Sequence, residues 1–287
     1  MRINMHSIFV LLMGICLFFQ GCSANEVFEE IEPGSVYQGP IEIKEPQPLN
    51  TIIIGNDSFL VDLSNTQDGY IMVKTLHPFD QRLKLRLMHD DQQYTYDLSS
   101  NEQYTVFPLQ MGSGEYSISI YQNTEGTSYA QVFADQFDVQ CEPNEVFTFP
   151  NQLVWYTHEY PAILLSFDIC QGIESEAEKA EAIYQYIVNY MSYDSQKAAN
   201  VQSGYIPNLT EVLNEKKGIC FDYAALMAAM LRAQNIPSRL VMGNLASEGI
   251  YHAWNEVYIN KEWHWYDATY GPENSNKLSD YVDDRRY

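Results

Sequence analysis

A cysteine, a histidine and an aspartate in the C-terminal half of the sequence are the residues best suited to chemistry. They are Cys220, His252 and Asp267, in that order along the chain. A thiolate is a strong nucleophile, but the thiol needs a base to take its proton, and the base needs a third group to hold its ring. These residue types supply a nucleophile, a general base and an orienting carboxylate. We therefore predict a catalytic Cys220-His252-Asp267 triad for acyl transfer.

Cys220 is predicted to begin a buried helix. The segment from Cys220 to Arg232 consists almost entirely of strong helix formers, is apolar on most faces and stops before Pro237. The start of a helix carries partial positive charge and unpaired N–H groups, which favour a thiolate over a thiol. The same N–H groups can donate to an oxyanion. Gly218 lets the chain turn tightly into this helix.

The relative position of His252 and Asp267 depends on one predicted hairpin. A strand is predicted on either side of residues 260–261, an Asn-Lys pair. If this pair forms the turn, His252 and Asp267 lie on the same face as diagonal neighbours, about 7–8 Å apart. A three-residue loop would shift the pairing of the two strands by one residue and place His252 and Asp267 on opposite faces. The two-residue turn therefore brings base and carboxylate together.

A zinc site is an alternative use of the same residues. Cys220 and His252 could bind the metal together with His264. However, the strand pairing set by the two-residue turn places His264 on the opposite face of the hairpin from His252. Neither a CxxC pair nor a calcium-loop pattern accompanies these residues. The sequence therefore indicates no metal and no other cofactor.

The segment that carries the triad is predicted to place its helices before its antiparallel strands. Ser175 begins a capping box, and apolar residues follow it at helical spacing. The predicted helices are Glu176–Tyr190, Leu209–Lys216 and Cys220–Arg232, and the predicted strands are Ser238–Gly243, Tyr251–Ile259 and Glu262–Ala268. This order is typical of an α+β domain, which we assign to residues 150–287.

An all-β domain is predicted upstream, over residues 49–141. Short strand patterns alternate there with turn residues, and the pattern at Gly114–Gln122 is the strictest. The predicted strands are Thr51–Ile54, Phe59–Leu63, Tyr70–Thr75, Leu83–Met88, Tyr94–Asp97, Gly114–Gln122, Tyr129–Phe133 and Gln136–Val139. Their number and spacing suggest an immunoglobulin-like β-sandwich. We expect this domain to serve as a spacer or a recognition module.

The N-terminus carries the pattern of an export signal. Residues 1–21 combine a basic start with a short apolar run and read as a lipoprotein signal peptide. Cys22 is then the lipidation site, and residues 22–48 are a flexible tether rich in acidic residues and proline. An ordinary secretory signal with an incidental Cys22 is the alternative. We expect a protein that is lipid-anchored at the extracellular face of the cell membrane.

The acidic composition restricts the partners of the chain. The net charge is −22, with 38 acidic and 16 basic residues. Such a surface repels phosphate backbones, which argues against nucleic-acid binding, and repels anionic lipid heads, so membrane contact needs the N-terminal lipid. In an oxidising compartment Cys141 and Cys170 could pair as a disulfide, which would leave Cys220 as the free thiol.

Three segments resemble the motifs of the transglutaminase-like superfamily. Residues 218–226 resemble its nucleophile motif, 251–254 its histidine motif and 265–269 its aspartate motif, and the similarity extends over about residues 175–270. The resemblance implies a papain-like fold and attack of the Cys220 thiolate on an amide, with His252 as base and then acid. The β-domain and lipid signal also resemble lipoproteins of this kind in Gram-positive bacteria.

The resemblance leaves the reaction open. The acyl acceptor could be water, as in a peptidase or deamidase, or an amine, as in a transglutaminase, and the substrate a protein, a peptide or a cell-wall peptide. A non-catalytic cell-surface binding module with a vestigial triad is the alternative from a different functional class. The intact set of Cys220, His252 and Asp267 favours the enzyme.

Overall fold

The computed structural model describes residues 37–246, 248–273 and 276–287. The predicted signal peptide (residues 1–21), the lipidation site Cys22 and the first part of the predicted tether lie outside these residues. Within the described part, none of the helices combines the length and the apolar character needed to cross a bilayer.

The first described region is a sandwich of two antiparallel four-stranded sheets. Its strands are β1 (Ile53–Gly55), β2 (Phe59–Asp62), β3 (Tyr70–Thr75), β4 (Leu83–His89), β5 (Gln92–Leu98), β6 (Thr105–Pro108), β7 (Gly114–Glu125) and β8 (Ser128–Val139). One sheet has the order β1-β2-β3-β6, and the other has the order β5-β4-β7-β8. Side chains from both sheets form one buried hydrophobic cluster, which is the core of the sandwich.

Strand β7 shows how the sequence pattern becomes a sandwich face. Tyr116, Ile118 and Ile120 are fully buried, and they alternate with residues on the outer face, as the two-residue period of a strand requires. The Tyr116 hydroxyl lies 3.0 Å from the carbonyl oxygen of Leu109 and 2.9 Å from that of Gly112. A tyrosine that bonds back to the corner before its strand is a hallmark of immunoglobulin-like sandwiches. The predicted sandwich is confirmed.

The second region is an α+β fold, as predicted. Its helices are α1 (Pro161–Ile169), α2 (Glu176–Tyr190), α3 (Ser195–Asn200), α4 (Leu209–Glu215) and α5 (Cys220–Ala233). Its strands are β9 (Ser192–Tyr193), β10 (Lys217–Gly218), β11 (Ser238–Leu245), β12 (Ile250–Ile259), β13 (Glu262–Tyr266) and β14 (Tyr281–Arg286). The main sheet is antiparallel, in the order β13-β12-β11-β14, and β9 and β10 form a separate parallel pair. Helix α5 packs on this sheet and is buried from Asp222 to Ala233.

The predicted helices and strands differ from the observed ones mainly where the sequence carries no pattern. Helix α2 has its predicted limits, because the Ser175 side chain accepts the Glu178 N–H as a cap. Helix α4 ends one residue earlier than predicted, since Lys216 adopts a left-handed conformation with a φ of 48°. Helices α1 and α3 and strands β6, β9, β10 and β14 are absent from the prediction, and β8 is one strand where two were predicted.

The three cysteines of the described part are free thiols, so the predicted disulfide between Cys141 and Cys170 is not formed. The two residues belong to different packing environments. Cys141 follows β8 and packs against the core of the sandwich, whereas Cys170 is buried at the end of α1. Burial raises the pKa of the Cys141 thiol, and it raises the pKa of the Cys170 thiol to about 12.

The described end of the predicted tether is held in place by specific contacts. Lys44 forms an ion pair with Glu145 and donates a hydrogen bond to Thr148 at 3.0 Å. A carboxylate oxygen of Glu45 accepts the backbone N–H of His158 at 2.8 Å. These residues are therefore fixed to the rest of the protein, and the prediction of a flexible tether is wrong for them.

A buried arginine connects three segments that are distant in the sequence. Arg232, in the last turn of α5, is 1% exposed and donates to the carbonyl oxygens of Phe149, Ser238 and Tyr287 at 2.7–2.9 Å. Burial lowers the pKa of this guanidinium to about 10, which leaves it charged at neutral pH. Tyr287 itself packs against the core of the sandwich. Arg232 thus joins the C-terminal residues to the central helix.

Candidate active site

Cys220 is the first residue of α5, where the β9–β10 pair meets the helix. Gly218 of β10 pairs with Tyr193 of β9, which fixes the approach of the chain. A Cβ atom on Gly218 would lie 2.6 Å from the Cβ of Asp222, so this approach requires glycine. The Asp222 carboxylate accepts the Ile219 N–H at 2.8 Å. The Cys220 thiol is therefore held at the positive end of a firmly anchored helix.

The hairpin between β12 and β13 has the turn that the sequence predicts. Asn260 and Lys261 have φ angles of 53° and 68°, which is the backbone conformation of a two-residue hairpin turn. The strand register on both sides follows from this turn. The predicted pairing of the two strands is confirmed, and His252 and Asp267 lie on one face of the hairpin. Strand β13 itself ends at Tyr266, one residue before Asp267.

The three predicted triad residues are brought together. The Nε2 atom of His252 lies 2.8 Å from Oδ2 of Asp267, and the side chain of His252 is also hydrogen-bonded to that of Cys220. His252 is 3% exposed and Asp267 is 2% exposed. Since Nε2 faces Asp267, Nδ1 is the ring nitrogen that remains for the thiol. The geometry therefore has the order thiol, imidazole, carboxylate that acyl transfer needs.

The protonation of His252 is set by its two partners. Burial alone lowers the pKa of His252, because removing an imidazolium ion from water is unfavourable. The hydrogen bonds to Asp267 and Cys220 outweigh burial and raise this pKa to about 9. The ring is therefore protonated at neutral pH. Because the folded-state pKa is raised, the stability that His252 contributes is complete below about pH 6.5 and is lost as the pH rises through about 9.

Asp267 is held by four donors. Its Oδ2 atom accepts from His252 and, at 2.6 Å, from the Tyr281 hydroxyl. Its Oδ1 atom accepts the backbone N–H groups of Thr269 at 3.0 Å and Tyr270 at 3.4 Å. Both carboxylate oxygens are thus occupied, and the side chain cannot rotate without losing hydrogen bonds. Sequence reasoning missed Tyr281, since nothing in the residues of β14 signals that this strand returns to the site.

Aromatic rings surround the imidazole of His252. The centroid of the Tyr270 ring lies 5.3 Å from that of His252, and those of Tyr281 and Trp254 lie at 6.1 and 6.3 Å. These rings bury the bond between His252 and Asp267. A hydrogen bond of this kind is electrostatically stronger in such surroundings than in water.

A second buried carboxylate lies on the other side of Cys220. Asp222 is 0% exposed, and its Oδ2 atom forms an ion pair with Lys197 at 2.7 Å. The Tyr205 hydroxyl donates to Oδ1 of Asp222 at 2.5 Å, and the Lys197 ammonium donates to the Tyr205 oxygen at 2.6 Å. Sequence reasoning missed this cluster. The position of Asp222 at the third residue of the helix was the available signal.

A cavity of about 440 Å³ opens beside the triad. Its lining includes both Cys220 and His252. This volume lies in the range of roughly 300–1,000 Å³ that is typical of ligand-binding pockets. A bound substrate can therefore reach the thiol and the imidazole from the same side.

The residues of the zinc alternative do not meet. His264 points away from His252, and its Nε2 atom lies 3.2 Å from the carbonyl oxygen of Ile259. Across residues 37–246, 248–273 and 276–287, no group of three or more His, Cys, Asp or Glu side chains has the geometry to hold a metal ion.

Comparison with known proteins points to one superfamily. The family model of the transglutaminase-like superfamily matches residues 164–268. Kyphoscoliosis peptidase of Mus musculus is 30% identical over 114 residues, which are 36% of this chain and 17% of that protein. The Homo sapiens protein of the same name is 29% identical over 114 residues, with the same coverage. The chain thus matches only 17% of the length of these relatives.

Solved structures are also similar to this chain, at low TM-scores. A candidate cysteine protease from Cytophaga hutchinsonii is 17% identical, with a TM-score of 0.43, over 83% of this chain and 74% of that one. Legionella pneumophila LapG is 16% identical, with a TM-score of 0.37, over 44% of this chain and 72% of that one. Both scores are low, so the assignment rests on the family match, which spans α2, α5 and all three residues of the predicted triad. Residues 164–268 thus carry the sequence pattern of the transglutaminase-like superfamily model.

Proposed function

We propose that this protein is a cysteine acyl-transfer enzyme that acts on an amide bond through Cys220, His252 and Asp267. The observation that carries the proposal is the buried imidazole of His252, which is hydrogen-bonded to Asp267 on one side and to Cys220 on the other. A histidine with only a structural role needs no thiol at a helix start as its second partner. The geometry instead fits a nucleophile, a base and an orienting group.

The reaction follows from these three side chains. The Cys220 thiolate attacks the carbonyl carbon of the amide, and the oxyanion that forms accepts hydrogen bonds from N–H groups at the start of α5. Protonated His252 then gives its proton to the leaving nitrogen, so that the C–N bond breaks and a thioester remains. Neutral His252 takes a proton from the acceptor, which attacks the thioester and releases Cys220. Asp267 stabilises the imidazolium form throughout.

Hydrolysis, with water as the acceptor, is the form of the reaction that we propose. The relatives in mouse and human are named peptidases, and they match this chain over 114 residues. An amine acceptor would use the same thioester and would make the protein a transglutaminase. The acceptor can therefore be distinguished by the products formed from one peptide in the presence and absence of an added primary amine.

We also propose that the enzyme is held at the outer face of the cell membrane by a lipid on Cys22. The lipoprotein-like signal of residues 1–21 supports this, as does the acidic surface, which would be repelled by anionic lipid heads. The substrates would then be extracellular proteins, peptides or cell-wall peptides. Expressing cells should incorporate labelled palmitate into the wild-type protein and not into Cys22→Ala. Equal incorporation into both would contradict the anchor.

Alkylation of the thiol at acidic pH tests the triad. A cysteine with the usual pKa of about 8.5 is a thiolate in only about one molecule in three hundred at pH 6. Because His252 stays protonated up to about pH 9, it should stabilise the Cys220 thiolate at pH 6. We expect iodoacetamide to alkylate Cys220 about 100-fold faster in the wild type than in His252→Ala. Mass spectrometry of the modified peptides gives both rates.

The chain supplies two controls for this experiment. Cys141 and Cys170 have raised pKa values, so they should react slowly in the same sample and set the background. His264→Ala removes a histidine that faces away from the site, and it should leave the fast reaction intact. Reaction of wild-type Cys220 no faster than that of free cysteine, or equal rates in the wild type and His252→Ala, would rule out the proposed function.

A further inference from the structure

The cavity beside the triad has walls from two different parts of the fold. One wall is the loop that ends α3 and continues past it, residues 198–205, which we call the cavity loop. The opposite wall comes from the main sheet, through Met242 of β11 and Tyr251 of β12. Cys220 and Phe221 lie between these walls. A side chain that enters the cavity is therefore next to the attacking sulfur.

The cavity loop is fixed at both ends. Lys197, just before the loop, and Tyr205, its last residue, are both bonded to the buried carboxylate of Asp222. This carboxylate sits in the first turn of α5, two residues after the nucleophile. The position of the loop is thus tied directly to the position of the thiol. A wall held in this way has a defined distance from the reacting atoms.

The sandwich also supports the cavity loop. Gly204 has a φ of 87°, and a Cβ atom on it would lie 3.0 Å from Nη2 of Arg82. Arg82 is held in turn by two hydrogen bonds to Asp97, at 2.6 and 2.7 Å. The backbone of the loop therefore passes closely over an ion pair of the sandwich. This contact gives the β-sandwich a part in shaping the cavity.

The chemistry of the lining is unlike that of the rest of the surface. The chain has a net charge of −22, yet the described residues that line this cavity include no lysine, arginine, aspartate or glutamate. Most of the lining is apolar, from Val201, Phe221 and Met242 among others, and Gln202 and Ser203 add uncharged polar groups. A charged side chain placed there would lose its hydration and find no lysine, arginine or carboxylate in the lining as a partner. An apolar side chain would gain by leaving water.

We infer that this cavity is the subsite for a bulky apolar side chain on the acyl part of a peptide substrate, next to the carbonyl that Cys220 attacks. The inference rests on the proposed function, since the cavity is useful in this way only if Cys220 is the nucleophile. It adds a substrate class to that function, namely peptides cleaved after or close to a residue such as leucine or phenylalanine. One extra apolar group in such a pocket changes the rate about 10- to 200-fold.

Peptidyl chloromethyl ketones that differ in one side chain test the inference. The Cys220 thiolate attacks the methylene carbon, a C–S bond forms, and chloride leaves with the electrons of the C–Cl bond. We expect the probe with leucine next to the reactive group to label Cys220 about 10-fold faster or more than the probes with glycine or aspartate. Each rate is divided by the rate with iodoacetamide, which carries no side chain, so that the intrinsic reactivity of the thiol cancels.

A change in the cavity loop with a matched control makes the test specific. Val201 is 40% exposed and lines the cavity, whereas Ile206 is 37% exposed and lies outside the lining. We expect Val201→Asp to lower the preference for the leucyl probe about 10-fold and to raise the relative rate of a lysyl probe. Ile206→Asp should retain the wild-type preference. Both positions are partly exposed, so neither change should prevent folding.

The outcomes separate the subsite from the proposed function. Fast alkylation by iodoacetamide at pH 6 with equal normalised rates for the leucyl, glycyl and aspartyl probes would overturn the subsite and leave the triad standing. An unchanged preference in Val201→Asp would overturn it equally. Slow reaction of Cys220 with every reagent would instead remove the proposed function, and the subsite with it.

Discussion

Replacing Asp267 with asparagine should lower the rate of peptide cleavage by roughly 10⁴-fold, which is the effect of the equivalent change in a Ser-His-Asp triad. The hydrogen bonds around this residue give the reason. The Oδ1 position faces two backbone N–H groups, so the asparagine oxygen is required there. Its NH₂ group then takes the Oδ2 position, where it faces the Tyr281 hydroxyl and Nε2 of His252.

The asparagine therefore changes the tautomer of His252. With a donor in front of it, Nε2 has to act as an acceptor, and the proton of the neutral ring moves to Nδ1 on the side of Cys220. A ring in this form cannot accept a proton from the thiol. The pKa of His252 should also fall, because the bond to Asp267 is one of the two that raise it. Cleavage of a leucine-containing peptide and alkylation at pH 6 measure the two effects.

Two further variants make this prediction sharper. Tyr281→Phe removes one donor from the same oxygen and keeps the ring that packs near His252, so we expect a loss of about 10-fold or less. Asp283→Asn removes a carboxylate on the same strand whose ion pair with Arg286 is partly exposed, and it should have little effect. If Asp267→Asn retained more than a tenth of wild-type activity, Asp267 would not orient His252.

Replacing Arg232 with methionine should lower the free energy of unfolding by about 3 kcal/mol. The carbonyl oxygens of Phe149 and Ser238 lose this donor, and a buried acceptor left without a partner costs about 1–3 kcal/mol. The Tyr287 oxygen loses it too but still accepts the Leu240 N–H at 2.9 Å. Removing a desolvated charge offsets part of this loss. Urea denaturation followed by tryptophan fluorescence measures the change.

Arg86→Met is the matched control for this measurement. Arg86 is a partly buried arginine of β4 that contacts the ring and, at 3.4 Å, the hydroxyl of Tyr121. Its loss should cost less than about 1 kcal/mol. A cost below 1 kcal/mol for Arg232→Met would show that the contacts of Arg232 to Phe149, Ser238 and Tyr287 contribute little to stability.

The parts of the site that the sequence predicts are those determined by short segments of chain. The turn at residues 260–261 determines that His252 and Asp267 share a face of the hairpin. The composition of residues 220–232 determines the helix that begins at Cys220. Both depend on local geometry, so a pattern read along the chain is sufficient. The alternation in β7 predicts its buried face for the same reason.

The parts that the sequence does not predict depend on contacts between distant segments. Tyr281 reaches Asp267 because β14 pairs with β11, and nothing in its residues indicates this partner. The bonds of Lys197 and Tyr205 to Asp222 require a loop to fold over α5. The disulfide prediction failed on the same ground, because composition shows which thiols exist but not which of them meet.

The return of strand β14 to the site affects the order in which a working site can be made. A ribosome delivers Cys220, His252 and Asp267 before it delivers Tyr281, so a partly synthesised chain already holds all three triad residues. The carboxylate of Asp267 acquires its fourth donor only once β14 has paired with β11. The hydrogen bonds that hold Asp267 are therefore complete only after this last strand has joined the sheet, and an enzyme of the proposed kind would reach its full rate late in folding.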